Sequence, residues 1–98
     1  MTRNELKDLA QTPNLTEDVL DGLNNVDLSY FAEYLSYTPN NDGLLLKLSY
    51  HEDALVREGA MIGMQNRYGE NDDITSRLFD MMADPDDYIR KEAEKFFQ

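Results

Sequence analysis

The chain has 98 residues, no cysteine, and twenty acidic against nine basic residues, giving a net charge of −11 at pH 7. That length limits it to one domain with a small core, and the missing cysteines exclude a disulfide scaffold and a thiol nucleophile. The charge argues against nucleic-acid and anionic-membrane binding, which need clustered lysine and arginine, and no run approaches the ~18 apolar residues of a membrane span.

Residues 2–10 predict an N-terminal helix opened by a Thr2-x-x-Glu5 capping box, in which each side chain satisfies a backbone N–H at the other's position. The segment Met1-Thr2-Arg3-Asn4-Glu5 carries no apolar signal sequence, so a cytoplasmic location is expected. A first unit follows over residues 15–37, with a helix near 15–24, a turn at Asn24-Asn25-Val26-Asp27 and a helix near 28–37. Leu9-Ala10-Gln11-Thr12-Pro13-Asn14 matches Leu35-Ser36-Tyr37-Thr38-Pro39-Asn40 at a shift of 26 residues. Each Thr-Pro-Asn reads as a turn, because proline blocks helix continuation and asparagine caps what comes next.

Two further units cover residues 42–68 and 73–97. Residues 45–64 and 78–97 repeat at a shift of 33. Leu45 meets Leu78, Leu48 meets Met81, Asp53 meets Asp86, Val56-Arg57 meets Ile89-Arg90, and Ala60 meets Ala93. A fixed period of this size marks stacked units, none of which can bury its apolar face alone. Helical spacing sets Val56, Ala60, Met64 and Tyr68 on one stripe, Ile74, Leu78, Met81 and Met82 on another, and Ile89, Ala93, Phe96 and Phe97 on a third. Gly59 and Gly63 weaken their helix, so a neighbouring helix is expected to come close there. Asp84 is read as a cap, Pro85 as a first-turn residue, and Arg57 and Arg90 as an ion-pair ladder reaching Asp53 or Asp86.

The segment from Asp84 to Ala93, Asp-Pro-Asp-Asp-Tyr-Ile-Arg-Lys-Glu-Ala, closely resembles the turn and second helix of HEAT-type repeats, including the bacterial HEAT-like kind. His51 to Ala60 resembles it without the proline. The first unit departs from the pattern, with Tyr30-Phe31 where valine and arginine would stand. The resemblance covers residues 42–97 and implies an α-solenoid used, in most relatives, for protein contact. The expected fold is therefore all-α: a single domain over 1–98, forming a short right-handed α-solenoid of about three antiparallel helix pairs plus the N-terminal helix.

From Asp8 to Leu46 there is no lysine or arginine, while Asp8, Glu17, Asp18, Asp21, Asp27, Glu33 and Asp42 are acidic. A protein partner with a basic patch fits such a surface; the alternative is that the charge only keeps the chain soluble. Tyr30, Tyr34 and Tyr37 fall at i, i+4, i+7, opposite Leu28, Phe31, Ala32 and Leu35. Either they form an interface, or their helix is internal, packed by residues 2–10 and by the neighbouring pair. The candidate partner-binding residues are thus Tyr30, Tyr34, Tyr37, Asp18, Asp21, Asp27 and Glu33.

No catalytic, cofactor or metal residue is expected. His51 is the only histidine and lies in an acidic turn, where a polar loop role outweighs a ligand role. There is no Gly-x-Ser-x-Gly elbow and no phosphate-binding glycine loop. The turn at Asp84–Asp87 lacks the mid-loop glycine of an EF-hand and would place Lys95 at its twelfth position. The sequence points to a non-catalytic protein–protein interaction module. Two alternatives stand beside it: a nucleic-acid mimic that inhibits a DNA- or RNA-binding protein, and an accessory subunit of an enzyme. The polar face of Asp87, Lys91, Glu94 and Lys95 argues against open-ended stacking at that end, and a side-by-side dimer through the tyrosines stays open.

Overall fold

Helices begin in this chain where a short polar side chain takes up the first free N–H groups. In the computed structural model, which describes residues 1–98, there are six α-helices, several short 3-10 segments and no strand. Helix α1 (Arg3–Ala10) opens with the reciprocal Thr2–Glu5 capping box. Asn24 caps α2 (Asn25–Tyr34) through the Asp27 N–H, and Asp53 caps α4 (Ala54–Asn66) through Leu55. Asn71 caps α5 (Asp72–Asp80), and Asp86 caps α6 (Asp87–Phe96) through Ile89. Between them lies α3 (Asp42–Leu48), entered from a 3-10 turn without a side-chain cap.

These caps correct several expectations. Residues 24–27 are not a turn: Asn24 is the cap, so the helix expected at 28–37 starts at Asn25, and its last residues, Leu35–Tyr37, tighten into a 3-10 turn. The helix expected near 15–24 is a 3-10 segment, Glu17–Gly22, with no side-chain cap and no buried residue. Three acids in six residues leave it too few apolar side chains to anchor a regular helix. Pro85 stands outside α6, ahead of its cap Asp86, and Asp84 holds the turn by accepting the Asp86 N–H at 2.9 Å.

Side-chain faces follow the predicted spacing with exceptions at the ends. Val56, Ala60, Met64, Ile74, Leu78, Met81, Ile89 and Ala93 are buried in one core with Phe31, Leu35 and Leu45. Tyr68 lies beyond the end of α4 and is half-exposed against the edges of Phe96 and Phe97. Helix α2 lies between α1 and α4 and packs on both. It runs alongside α4 in the same direction: Asn25 donates to Asp53, Ser29 touches Gly59, Ala32 touches Gly63, and Asn66 donates to Ser36. The glycine pair makes this possible, since a methyl group on Gly59 would sit 2.1 Å from the Ser29 carbonyl oxygen and one on Gly63 2.7 Å from that of Ala32. Helix α6 follows α4 in the same sense, with Arg57 on Asp84 near one end and Tyr68 on Phe97 near the other.

Successive parts of the chain are tied by polar side chains. The two Thr-Pro-Asn turns lie against each other: Thr38 donates to the Gln11 carbonyl, and Asn40 to Asn14. Asn41, 2 % exposed, accepts the Leu15 N–H at 3.0 Å and donates to the carbonyls of Ala10 at 3.1 Å and Thr12 at 2.8 Å. Replacing Asn41 with alanine strands these backbone groups, and urea denaturation should show a loss of about 2 kcal/mol. Arg67 holds Asp42 at 2.9 Å, and Arg77 donates to the Ser49 carbonyl at 2.7 Å. The expected ladder takes a different form. Asp53 and Asp86 are occupied as caps, so Arg57 pairs with Asp84, while Arg90 pairs with Asp87 and donates to the Asp84 carbonyl. No helix is long and apolar enough to cross a membrane.

Candidate functional site

Backbones brought together by Gly59 and Gly63 leave the flanking side chains of α2 and α4 to form the walls of a groove of about 300 Å³. Val26, Ser29, Tyr30 and Glu33 line it from α2, and Leu55, Glu58 and Ile62 from α4. Their spacing of three, four and seven residues is that of one helix face. Val26 is 54 % exposed and Leu55 41 %. Each stands two places after its helix cap, as does the exposed Tyr88 on α6, so apolar surface recurs near the start of all three helices.

The groove is acidic and its acids form no salt bridge. Several carboxylates elsewhere do: Asp27 with the N-terminal amine, Glu17 with Lys47, Asp42 with Arg67, Asp84 with Arg57, Asp87 with Arg90, Glu92 with Lys95. Neither Glu33 nor Glu58 forms a salt bridge. Partial burial pushes the Glu58 carboxyl above its ordinary value, and the neighbouring charges of Asp86 and Glu92 add to the shift. A raised carboxyl opposes folding while it is ionised, so the penalty is present at neutral pH and disappears as pH falls through its raised range. Glu58→Gln should therefore stabilise the chain at pH 7, by roughly 0.5 kcal/mol after solvent screening, or about 2–4 °C in Tm by thermal denaturation. The gain should vanish in acid.

The seven residues singled out from sequence are not gathered in one place. Tyr30 and Glu33 line the groove. Tyr34 is only 8 % exposed, and its hydroxyl accepts a hydrogen bond from Arg3 Nε at 3.0 Å. The tyrosine face is largely covered by α1, with the Arg3 guanidinium 4.5 Å from the Tyr30 ring centre and Lys7 5.7 Å from that of Tyr37. Of the three rings only Tyr37 is well exposed. Asp27 is turned to the N-terminal amine, and Asp18 and Asp21 lie apart, exposed on the 3-10 segment. Sequence reasoning passed over Val26, Ser29, Leu55, Glu58 and Ile62. The available signal was the glycine pair, which marked the close contact whose flanks these residues form. His51 has a local role, its Nδ1 accepting the Asp53 N–H at 3.0 Å.

Comparison with protein-family models, with curated proteins and with solved structures gave no match.

Proposed function

We propose that this chain is a non-catalytic protein–protein interaction module, a HEAT-like stack of about three helix pairs whose α2–α4 groove receives a basic segment of another protein. The observation that carries the reading is the groove itself: uncovered Val26 and Leu55 beside Glu33 and Glu58, two carboxylates that form no salt bridge. Such a mixture favours an apolar segment that also brings positive charge. The stacked arrangement draws support from the shared direction of α2, α4 and α6, and from polar ties between groups 27 and 28 residues apart, Arg57 to Asp84 and Asn25 to Asp53. Tyr30 at the groove edge belongs to the same surface.

A second reading, a nucleic-acid mimic, is favoured by the exposed acids Asp8, Asp18, Asp21, Asp72, Asp73 and Asp80. It is weakened because Asp27, Asp42, Asp53, Asp84 and Asp86 are engaged as caps or ion pairs within the fold. The two readings separate by affinity capture with the tagged chain at low and high salt, with duplex DNA as competitor. The module reading predicts a partner that persists at high salt and is indifferent to DNA. A partner released by both salt and DNA would favour mimicry instead.

A further inference from the structure

We propose that the α2–α4 groove is a receptor pocket for a single arginine side chain of the partner protein, with Glu58 as the anion that receives it. The proposal rests on the module reading above and names the chemistry of its contact. Size is the first argument: about 300 Å³ lies at the lower limit of ligand pockets, and it suits one long side chain rather than a whole helix. The lining is the second. Val26, Leu55 and Ile62 offer apolar surface to an aliphatic stem, while Glu33 and Glu58 await a charged head.

Glu58 also forms no salt bridge within the chain, and most of the arginines around it are committed elsewhere. Arg57 is held by Asp84, Arg90 by Asp87 and the Asp84 carbonyl, and Arg3 by Tyr34. Lys95 is taken by Glu92. Asp86 is committed to capping α6. Among the half-buried acids only Glu33 and Glu58, both in the groove, cap no helix and form no salt bridge. Arginine fits better than lysine because its planar, weakly hydrated fork binds carboxylates in two places and stacks on tyrosine. The same chemistry recurs inside the chain: arginine, not lysine, holds the buried Asp42 and Asp84, and arginine lies over Tyr30 and Tyr50.

The test is a ¹H–¹⁵N NMR titration of the full chain with three capped tripeptides, Leu-Arg-Leu, Leu-Lys-Leu and Leu-Gln-Leu. The arginine peptide should shift the amides of Val26, Tyr30, Glu33, Leu55, Glu58 and Ile62. The glutamine peptide should bind about tenfold more weakly, the size expected for a half-buried, charge-assisted hydrogen bond. Glu58→Gln should lower the affinity for the arginine peptide by a similar factor. Because this variant should be at least as stable as the parent, lost binding cannot be put down to unfolding. Asp72→Asn, on an exposed acid remote from the pocket lining, should leave the affinity unchanged. Equal binding of arginine and lysine peptides would overturn the choice of arginine, and unchanged affinity in Glu58→Gln would overturn the role of Glu58. Arginine-dependent shifts confined to the region of Asp18 and Asp21 would overturn the pocket while leaving the wider module reading intact. Equal, weak shifts from all three peptides, with DNA-sensitive capture, would overturn both.

Discussion

Gly59→Ala should destabilise the chain by roughly 2–3 kcal/mol. The added methyl group meets the carbonyl oxygen of Ser29 at 2.1 Å, its carbonyl carbon at 2.7 Å and its Cα at 2.8 Å. All three atoms belong to the backbone of α2, so no side-chain rotation relieves the clash and the two helices must separate. Alanine recovers about 1 kcal/mol of helix propensity, but overpacking against fixed backbone costs about 3 kcal/mol or more. The net loss, roughly 2–3 kcal/mol, is a large share of the 5–15 kcal/mol that usually stabilises a domain. Gly63→Ala should lose less, because Leu45 Cδ1, one of its two closest contacts, lies on a side chain that can turn. Gly43 in α3 has open space around its missing Cβ, so Gly43→Ala should be neutral or mildly stabilising. Urea denaturation followed by circular dichroism ranks the three. Equal stabilities would mean that α2 and α4 do not touch at the glycines.

Asp84→Asn should cost about 2–3 kcal/mol at pH 7. The Asp84 side chain is 3 % exposed and that of Arg57 13 %, with Arg57 Nε and Nη2 each 3.1 Å from a different carboxylate oxygen. Arg57 is further held by the carbonyls of His51 and Glu52 at 3.0 Å, so it cannot follow a lost partner out to water. Removing one member of such a pair leaves an uncompensated, largely buried charge. The substitution also weakens the acceptor for the Asp86 N–H, which sets the turn into α6.

The same group gives the fold an acid limit. Burial pushes the Asp84 carboxyl up, but hydrogen bonds from Arg57 and the Asp86 N–H, with the charges of Arg57 and Arg77, outweigh it and hold the carboxyl below the usual range. A depressed folded value means that the pair's contribution is fully present above the unfolded value, about 3.9, and is lost as pH falls through the folded one. The deficit of Asp84→Asn should therefore be constant between pH 6 and 8 and shrink below about pH 4. A deficit that persists undiminished in acid would assign the loss to packing.

Features written in short stretches of sequence were legible. The Thr2–Glu5 box and the apolar stripes of Val56, Ala60, Met64 and Ile74, Leu78, Met81 depend on neighbours within one or two turns; Asp53 and Asp86, read as partners of the arginines, are instead the caps of α4 and α6. The glycine pair announced a close contact, although not with which backbone. What failed was the first unit. Residues 17–22 hold only the adjacent Val19 and Leu20 as large apolar side chains, and the segment has no cap and buries no residue fully, so propensity alone could not carry a regular helix. Asn24, read as part of a turn, instead starts α2.

The site was half legible for a similar reason. Tyr30 drew notice for its spacing with Tyr34 and Tyr37, and Glu33 for lying in the stretch without bases, but their partners across the groove, Leu55, Glu58 and Ile62, follow more than twenty residues later. Only the packing of α2 on α4 brings them together. The isolation of Glu58 is a property of the whole arrangement: Arg57, the preceding residue, points away to Asp84, and Arg90 and Lys95 of α6 are engaged with acids of their own. A sequence holding twenty acids gives no sign of which half-buried ones lack a partner.

The most direct measurement is a random-peptide display selection against the full chain, counter-selected with the Glu33→Gln, Glu58→Gln double variant. The account predicts that peptides retained by the parent and released by the variant carry arginine next to apolar residues. Recovery of the same peptides with both proteins, or of peptides without a cationic residue, would contradict it.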